Sequence, residues 1–277
     1  MNLTETYKKV FLPALISLLI SCNQTKDSKD SHWIDPITKM EFVYIPKGKF
    51  TMGSTTDNKN PDSPYTKPHE VRLEKGFWMG VTEVTQQQWQ EIMGTEEIHP
   101  DKPSPFRNLH QRYPVVSVSF YDVQSFIEKL NARSNDVIFR LPTEAEWEYA
   151  CKAKTTTAYH FGDSISDELA NYNAQIKFKK STLGNFIGQP TPVASYAPNA
   201  WGLYDMHGNV WEWVSNWYAP YSAENEKNLT GPPTGALKII RGGSWYFGAE
   251  NAQSHYRRTH EPNLWGFSIG FRLVREE

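Results

Sequence analysis

The segment WGLYDMHGNVWEWVSNWY, Trp201 to Tyr218, carries polar groups at a spacing that could hold a hard cation. Asp205, Gly208, Val210 and Glu212 can send a carboxylate, two backbone carbonyls and a second carboxylate to one point, provided that the Gly208-Asn209 turn curls the chain inward. Carboxylates and carbonyls are the oxygen donors that Ca²⁺ takes. The same residues also read as an Asn-containing turn flanked by core tryptophans, and spacing alone leaves both readings open. His207, within this stretch, reads as a surface or hydrogen-bonded side chain.

A second stretch, RGGSWYFGAENAQSHYRR from Arg241 to Arg258, mixes glycine, serine, aromatic and basic residues. Ser244 lacks the G-x-S-x-G setting of a nucleophile elbow. Gly242-Gly243 is not followed by the helix that a phosphate loop requires. His255 and His260 stand five apart, a spacing that one helix face does not align. Cys151, in EAEWEYACKA, has no cysteine partner and no histidine near it in sequence, so it reads as a small buried core residue.

The elements that must position these groups can be read from local signals. Thr85 with Gln88, Ser119 with Asp122 and Thr143 with Glu146 each form a capping-box pattern that opens a short helix. In the second helix Phe120, Val123, Phe126, Ile127 and Leu130 fall on one face. MEFVYIPKGKFTMGS, Met40 to Ser54, alternates apolar and polar residues about Pro-Lys-Gly and is expected to form a β-hairpin. HEVRLEKGFWMGVTEV continues in strand-like alternation, and GFRLVRE is expected to be a closing strand. HPDKPSPF and NLTGPPTG read as Pro-rich loops. Beyond Asn171 the chain is irregular and rich in Gly, Asn, Pro and aromatics. No repeat or break in composition divides residues 32–277, so one α+β domain with little regular structure is expected.

Taken in order, FTMG, GFWMGVTEVT, PVVSVSFYDVQSFIEKLN, RLPTEAEWEYA, WGLYDMHGNVWEW, RGGSW and GFRLV resemble the formylglycine-generating enzyme family, the sulfatase-modifying factor domain. The resemblance spans nearly all of residues 40–275 and implies that family's loop-rich fold, which is related to C-type-lectin-like folds. It also implies two Ca²⁺ sites. One corresponds to Asp205, Gly208, Val210 and Glu212. The other corresponds to the side chains of Asn171 and Asn185 and the carbonyls of Tyr172 and Ile187, with Asn185 in place of a carboxylate. The family's aerobic enzymes hold copper(I), a soft ion, on two cysteines; the corresponding positions here are Phe247 and Ala252, so no copper is expected. Other members hold iron with an HxxxHxE motif in a separate helical domain, and neither the motif nor the domain occurs in this sequence. The family's substrate groove would offer Trp211, Ser244, Trp245 and Arg257 or Arg258 as contacts, since aromatics give stacking area and arginine a fixed fork for carboxylates.

At the N-terminus Lys8 and Lys9 precede VFLPALISLLIS, an apolar run of signal-peptide length. It ends in Leu19-Ile20-Ser21-Cys22, which resembles the lipobox of bacterial lipoproteins. Residues 1–21 are therefore expected to be a signal peptide, Cys22 the lipidated residue, and the polar run 22–31 a flexible tether to a membrane of the bacterial cell envelope. With Cys22 lipidated, Cys151 has no disulfide partner. Of 277 residues, 38 are aromatic, enough to hold a core with little regular structure. Lys plus Arg, 29, nearly balances Asp plus Glu, 31, so no basic field invites nucleic acid. The expectation is a lipid-anchored binding or scaffold module for an envelope protein or peptide, the alternative being a divergent metal-dependent oxidoreductase of the same family.

Overall fold

The computed structural model describes residues 31–54, 68–95, 104–106, 109–134, 136–179, 181–221 and 230–277. The expected signal peptide, Cys22 and most of the tether lie outside the described residues, as do most of HPDKPSPF and the start of NLTGPPTG. Ser31–Glu277 forms one compact unit.

Among the described residues each of the three α-helices starts at its sequence-marked cap. Helix α1 (Gln86–Met93) is capped by Thr85 with Gln88, α2 (Phe120–Arg133) by Ser119 with Asp122, and α3 (Glu144–Lys152) by Thr143 with Glu146. In each the hydroxyl accepts an N–H of the first turn and the third-position side chain accepts the cap N–H, an arrangement worth about 1 kcal/mol per cap. Helix α2 buries the expected face. Helix α3 is buried all round, so its carboxylates must find partners inside the protein.

Among the described residues eleven strands follow in chain order: β1 (His32–Ile34), β2 (Glu41–Ile45), β3 (Gly48–Met52), β4 (His69–Leu73), β5 (Phe77–Gly80), β6 (Phe139–Arg140), β7 (Trp211–Trp217), β8 (Lys238–Arg241), β9 (Arg257–His260), β10 (Ile269–Gly270) and β11 (Val274–Arg275). They form a five-stranded sheet in the order β1-β2-β5-β11-β6, a four-stranded sheet β10-β7-β8-β9, and the pair β3-β4.

The expected hairpin over Met40 to Ser54 does not form. Strand β2 pairs with β5, Ile45 opposite Phe77, and β3 pairs with β4, Gly48 opposite Leu73. Pro46-Lys47 is thus an interruption in one long arm rather than a reversal. Proline has no N–H to give the ladder, so the arm breaks there and resumes in another sheet. The closing segment also divides. Strand β10 lies parallel to β7 in the second sheet, whereas β11 sits between β5 and β6 in the first. Crossing between sheets carries Arg272 through the interior, where it is fully buried.

Aromatic side chains fill the space between these elements. Trp89 stacks on Phe126 at 5.2 Å, and Phe126 meets the edge of Phe271 at 5.4 Å, joining α1, α2 and the closing segment. Such pairs add roughly 0.5–1.5 kcal/mol beyond area burial. Among the described residues no helix is long and apolar enough to cross a membrane.

Candidate functional site

The Asp205–Glu212 loop enters β7 through residues that need a left-handed backbone. Asp205, Gly208 and Asn209 have φ of 56°, 88° and 54°. A Cβ at Gly208 would stand 2.3 Å from the Asn171 carbonyl oxygen, so only glycine fits this approach. The loop is held by N–H donors of Gly208 to Gly242 O and of Asn209 to Asn171 O, each at 2.8 Å.

Beneath the loop three carboxylates surround one guanidinium. Arg272 donates Nε to Glu212 Oε2 and NH2 to Glu212 Oε1, both at 2.7 Å, and Trp147 Nε1 donates to the same Oε2 at 2.7 Å. The remaining Arg272 donors reach the carbonyls of Gly80, Val81 and Tyr204. Glu212 is therefore first of all the counter-ion of Arg272. Asp205 Oδ2 accepts the Ala194 N–H at 2.7 Å. Glu83 Oε1 accepts Asn209 Nδ2 at 2.9 Å, and the Glu83 carboxyl, when protonated, hydrogen-bonds the neighbouring Asp205 carboxylate. Burial, then the neighbouring Asp205 charge, pushes Glu83 well above the usual carboxylate range. Burial raises Asp205 to about 6. One guanidinium cannot neutralise three buried carboxylates, so the cluster holds a surplus negative charge that a proton or a cation must relieve. Sequence reasoning missed Glu83 and Arg272. The available signal was a single charge in each of two apolar runs, GVTEV and GFRLV.

The second set of expected cation ligands does not gather in this way. Asn171 is buried, its Nδ2 donating to Gln189 O at 3.0 Å and its Oδ1 unpartnered. The Tyr172 carbonyl accepts the Ala174 N–H, and Ile187 is exposed. Asn185 is exposed and donates both N–H and Nδ2 to Asp167 at 2.8 Å. Asp167 thus places a carboxylate beside the position where one was expected. No hydrogen bond joins Asn171 to Asn185 among the described residues. At neither set, among the described residues, do three His, Cys, Asp or Glu side chains converge in a way that could hold a metal.

In the Arg241–Arg258 stretch, Arg241 is fully buried and bonds Glu148, with Glu144 at 3.7 Å and the carbonyls of Ser254, His255 and Tyr256 completing its shell. Gly243 turns with φ 76°, and a Cβ there would come within 2.9 Å of the Ala252 backbone. The short 3₁₀ helix Ala249–Ala252 follows. Ala252 is buried and its carbonyl accepts His207 Nδ1 at 2.7 Å. Cys151, remote from His207 in sequence, lies 3.7 Å from its Nε2. Burial pushes the thiol up to about 12 and the imidazole down to about 3, so the proton stays on sulfur. Both groups are neutral core residues.

The expected groove contacts fall into two classes. Trp211 and Ser244 are buried, and Arg257 is buried against Glu144 at 2.8 Å with Tyr221 stacked at 4.2 Å; all three are interior residues rather than surface contacts. Trp245 is 4% exposed and packs among Phe106, Phe186, Tyr246 and Phe267. Arg258, in contrast, is exposed, its guanidinium 4.5 Å above the Phe247 ring. Phe247 rests edge-on against Trp211 and Tyr246. Tyr246 and Phe267, 49% and 37% exposed, meet at 5.2 Å and extend this surface. Sequence reasoning did not single out Tyr246 or Phe267, because exposure of an aromatic has no local pattern.

The profile of the sulfatase-modifying factor enzyme 1-like domain matches residues 34–277. The chain belongs to this family. Formylglycine-generating enzyme of Mus musculus is 33% identical over 196 residues, covering 68% of this chain and 51% of that protein. Chaperone protein LppX of Paenibacillus barcinonensis is 31% identical over 246 residues, covering 73% and 80%. Serine/threonine-protein kinase pkn1 of Chlamydia caviae is 28% identical over 294 residues, covering 98% of this chain but 43% of that protein. The chain thus spans about two fifths of its chlamydial relatives. Among solved structures, PvdO from Pseudomonas aeruginosa superposes with a TM-score of 0.72 at 26% identity, covering 89% of this chain and 98% of that one. Treponema denticola variable protein 1 does so with 0.70 at 24% identity, covering 89% and 99%, a likeness of fold. The sulfatase-modifying factor fold is the expected α+β architecture.

Proposed function

We propose that this sulfatase-modifying factor domain is a binding module, held at a bacterial envelope membrane by lipid on Cys22, that engages a protein or peptide partner without copper–thiolate chemistry. The observation that carries the reading is the Phe247–Arg258 contact. Where the family resemblance implies a cysteine, a phenylalanine supports an exposed guanidinium, and the only thiol among the described residues is buried and protonated. A stacked arginine beside exposed Tyr246 and Phe267 is suited to a partner segment bearing a carboxylate and an apolar or aromatic side chain, because the planar fork meets a carboxylate in two parallel bonds. The name of the LppX relative, a chaperone, supports a protein-binding role.

A structural cation belongs to the same reading. The Asp205–Glu83 cluster is buried and surplus in negative charge; its carboxylates do not by themselves converge on one point, so backbone carbonyls would have to complete a Ca²⁺ shell there. Asp205 and the loop carbonyls of Gly208 and Val210 would hold the ion, with the Glu83 carboxyl beside Asp205; Glu212 serves Arg272. The Asn171–Asn185 set fits less well, since Asn185 is committed to Asp167.

The binding role is tested with an array of peptides displaying acidic and aromatic residues, read against the full chain and Arg258→Glu. Binding to acidic members with at least tenfold loss in the variant, at unchanged melting temperature, is the expected result. Binding that ignores the charge at position 258 would overturn the assignment of this face.

A further inference from the structure

A cavity of about 740 Å³ opens between β3 and the C-terminal turn of α3, lined by residues from Lys47 to Ser54 and from Tyr149 to Ala158. Its size lies in the range of small-ligand sites. Four ammonium groups border it against two carboxylates, Glu70 and Asp163. Two of the ammonium groups are spent within the protein. Lys49 pairs with Glu70 at 3.2 Å, and Lys152 donates to Glu148 and to the Thr51 carbonyl at 2.7 Å. Asp163 accepts the Ala158 N–H at 3.3 Å. Lys47 and Lys154 are exposed and have no ionic or hydrogen-bonding partner among the described residues.

The wall between them is made of hydrogen-bonding groups that the fold leaves unused. Helix α3 ends in two successive left-handed residues, Ala153 with φ 44° and Lys154 with φ 76°. The N–H groups of Lys154, Thr156 and Thr157 have no acceptor among the described residues, and the Thr156 and Tyr149 hydroxyls have no hydrogen bond there. The negative end of the α3 dipole is blunted, because Asn199 Nδ2 donates to the Ala150 and Cys151 carbonyls and Ala153 N–H to Tyr149 O. Phe50, half-buried, supplies an aromatic wall, with the buried Tyr149 ring packed against it at 5.3 Å.

We propose that this cavity binds an anionic sugar, a saccharide ring carrying a carboxylate or a phosphate. The ammonium groups of Lys47 and Lys154 and the turn N–H groups would take the anion, the Thr156 and Tyr149 hydroxyls the ring hydroxyls, and the Phe50–Tyr149 wall the apolar face of the ring. A simple dicarboxylate would leave the hydroxyls and the aromatic wall unused; a neutral sugar would leave the ammonium groups unused.

Calorimetric titration of the full chain with glucuronate, glucose 6-phosphate, glucose and succinate tests the assignment. Saturable binding of at least one charged sugar is expected, tenfold or more tighter than glucose and succinate and weakening as salt is raised. The two charged probes distinguish carboxylate from phosphate. Lys47→Glu/Lys154→Glu alters exposed side chains only, so it is expected to keep the melting temperature and lose binding at least tenfold. Arg258→Glu is expected to leave it unchanged, which separates this site from the peptide face. No saturable binding of either charged sugar, equal binding of succinate or glucose, or full binding by the double variant would overturn the proposal.

Discussion

Cys151 and His207 are close enough for a thiol–imidazole pair, yet their surroundings decide against one. A pair of this kind reacts only when the thiolate is stabilised, and here burial of Cys151 outweighs the stabilising charges of Arg241 and Lys152. The same burial makes His207 a source of acid sensitivity. Its folded pKa of about 3 and that of His160, about 4, lie below the ordinary value near 6.5. As pH falls below about 6.5 the unfolded chain takes up protons that the folded chain refuses, so stability is lost progressively down to the folded values. His207 alone contributes on the order of a few kcal/mol to this loss. Asp205, raised to about 6, works the other way, retaining its proton in the fold and so favouring folding as pH falls from 6 towards 4. Denaturant melts of His207→Gln between pH 7 and 4 are expected to show a shallower decline than the parent chain. Little of this was legible in sequence: the thiol was readable as buried, but the histidine 56 residues away was not.

Helix α3 is the element on which the interior charges converge. Its N-terminus was legible because a capping box is a local pattern, complete within four residues. Its partners were not, because Arg241 meets Glu148 across 93 residues and Arg257 meets Glu144 across 113. The same distinction explains the misread arm about Pro46: alternation marks a strand but not its neighbour, and pairing across sheets is a non-local choice. Removing one member of a buried ion pair leaves the other uncompensated, at a cost of about 3–5 kcal/mol. Arg241→Ala is therefore expected to lower unfolding free energy by roughly that amount in denaturant titration. Combining it with Glu148→Gln should recover only part of the loss, since Lys152 still partners Glu148 in the single variant and loses that partner in the double one. A full loss that persists in the double variant would place the importance of Arg241 in its three carbonyl bonds instead.

At the scale of the whole chain, aromatic packing and buried charge pairs hold a fold with short helices and strands, and the family's order of motifs was legible from Phe50 to Val274. The candidate site was only partly legible. Asp205 and Glu212 were recognisable by spacing, whereas the division of labour that gives Glu212 to Arg272 depends on a segment crossing between two sheets. The exposed face at Arg258 likewise depends on which aromatics the fold leaves outside. The membrane anchor is tested separately. Cys22→Ala is expected to abolish lipid labelling and membrane attachment of the expressed precursor, and attachment that survives would refute the lipobox reading.

The central claim, a binding module without copper–thiolate oxidation, is tested most directly by metal analysis of the purified full chain together with oxygen uptake on cysteine-containing peptides. Calcium without stoichiometric copper or iron, and no peptide-dependent oxygen consumption, is the predicted result. Copper or iron at one equivalent with oxygen uptake that follows the peptide would contradict it.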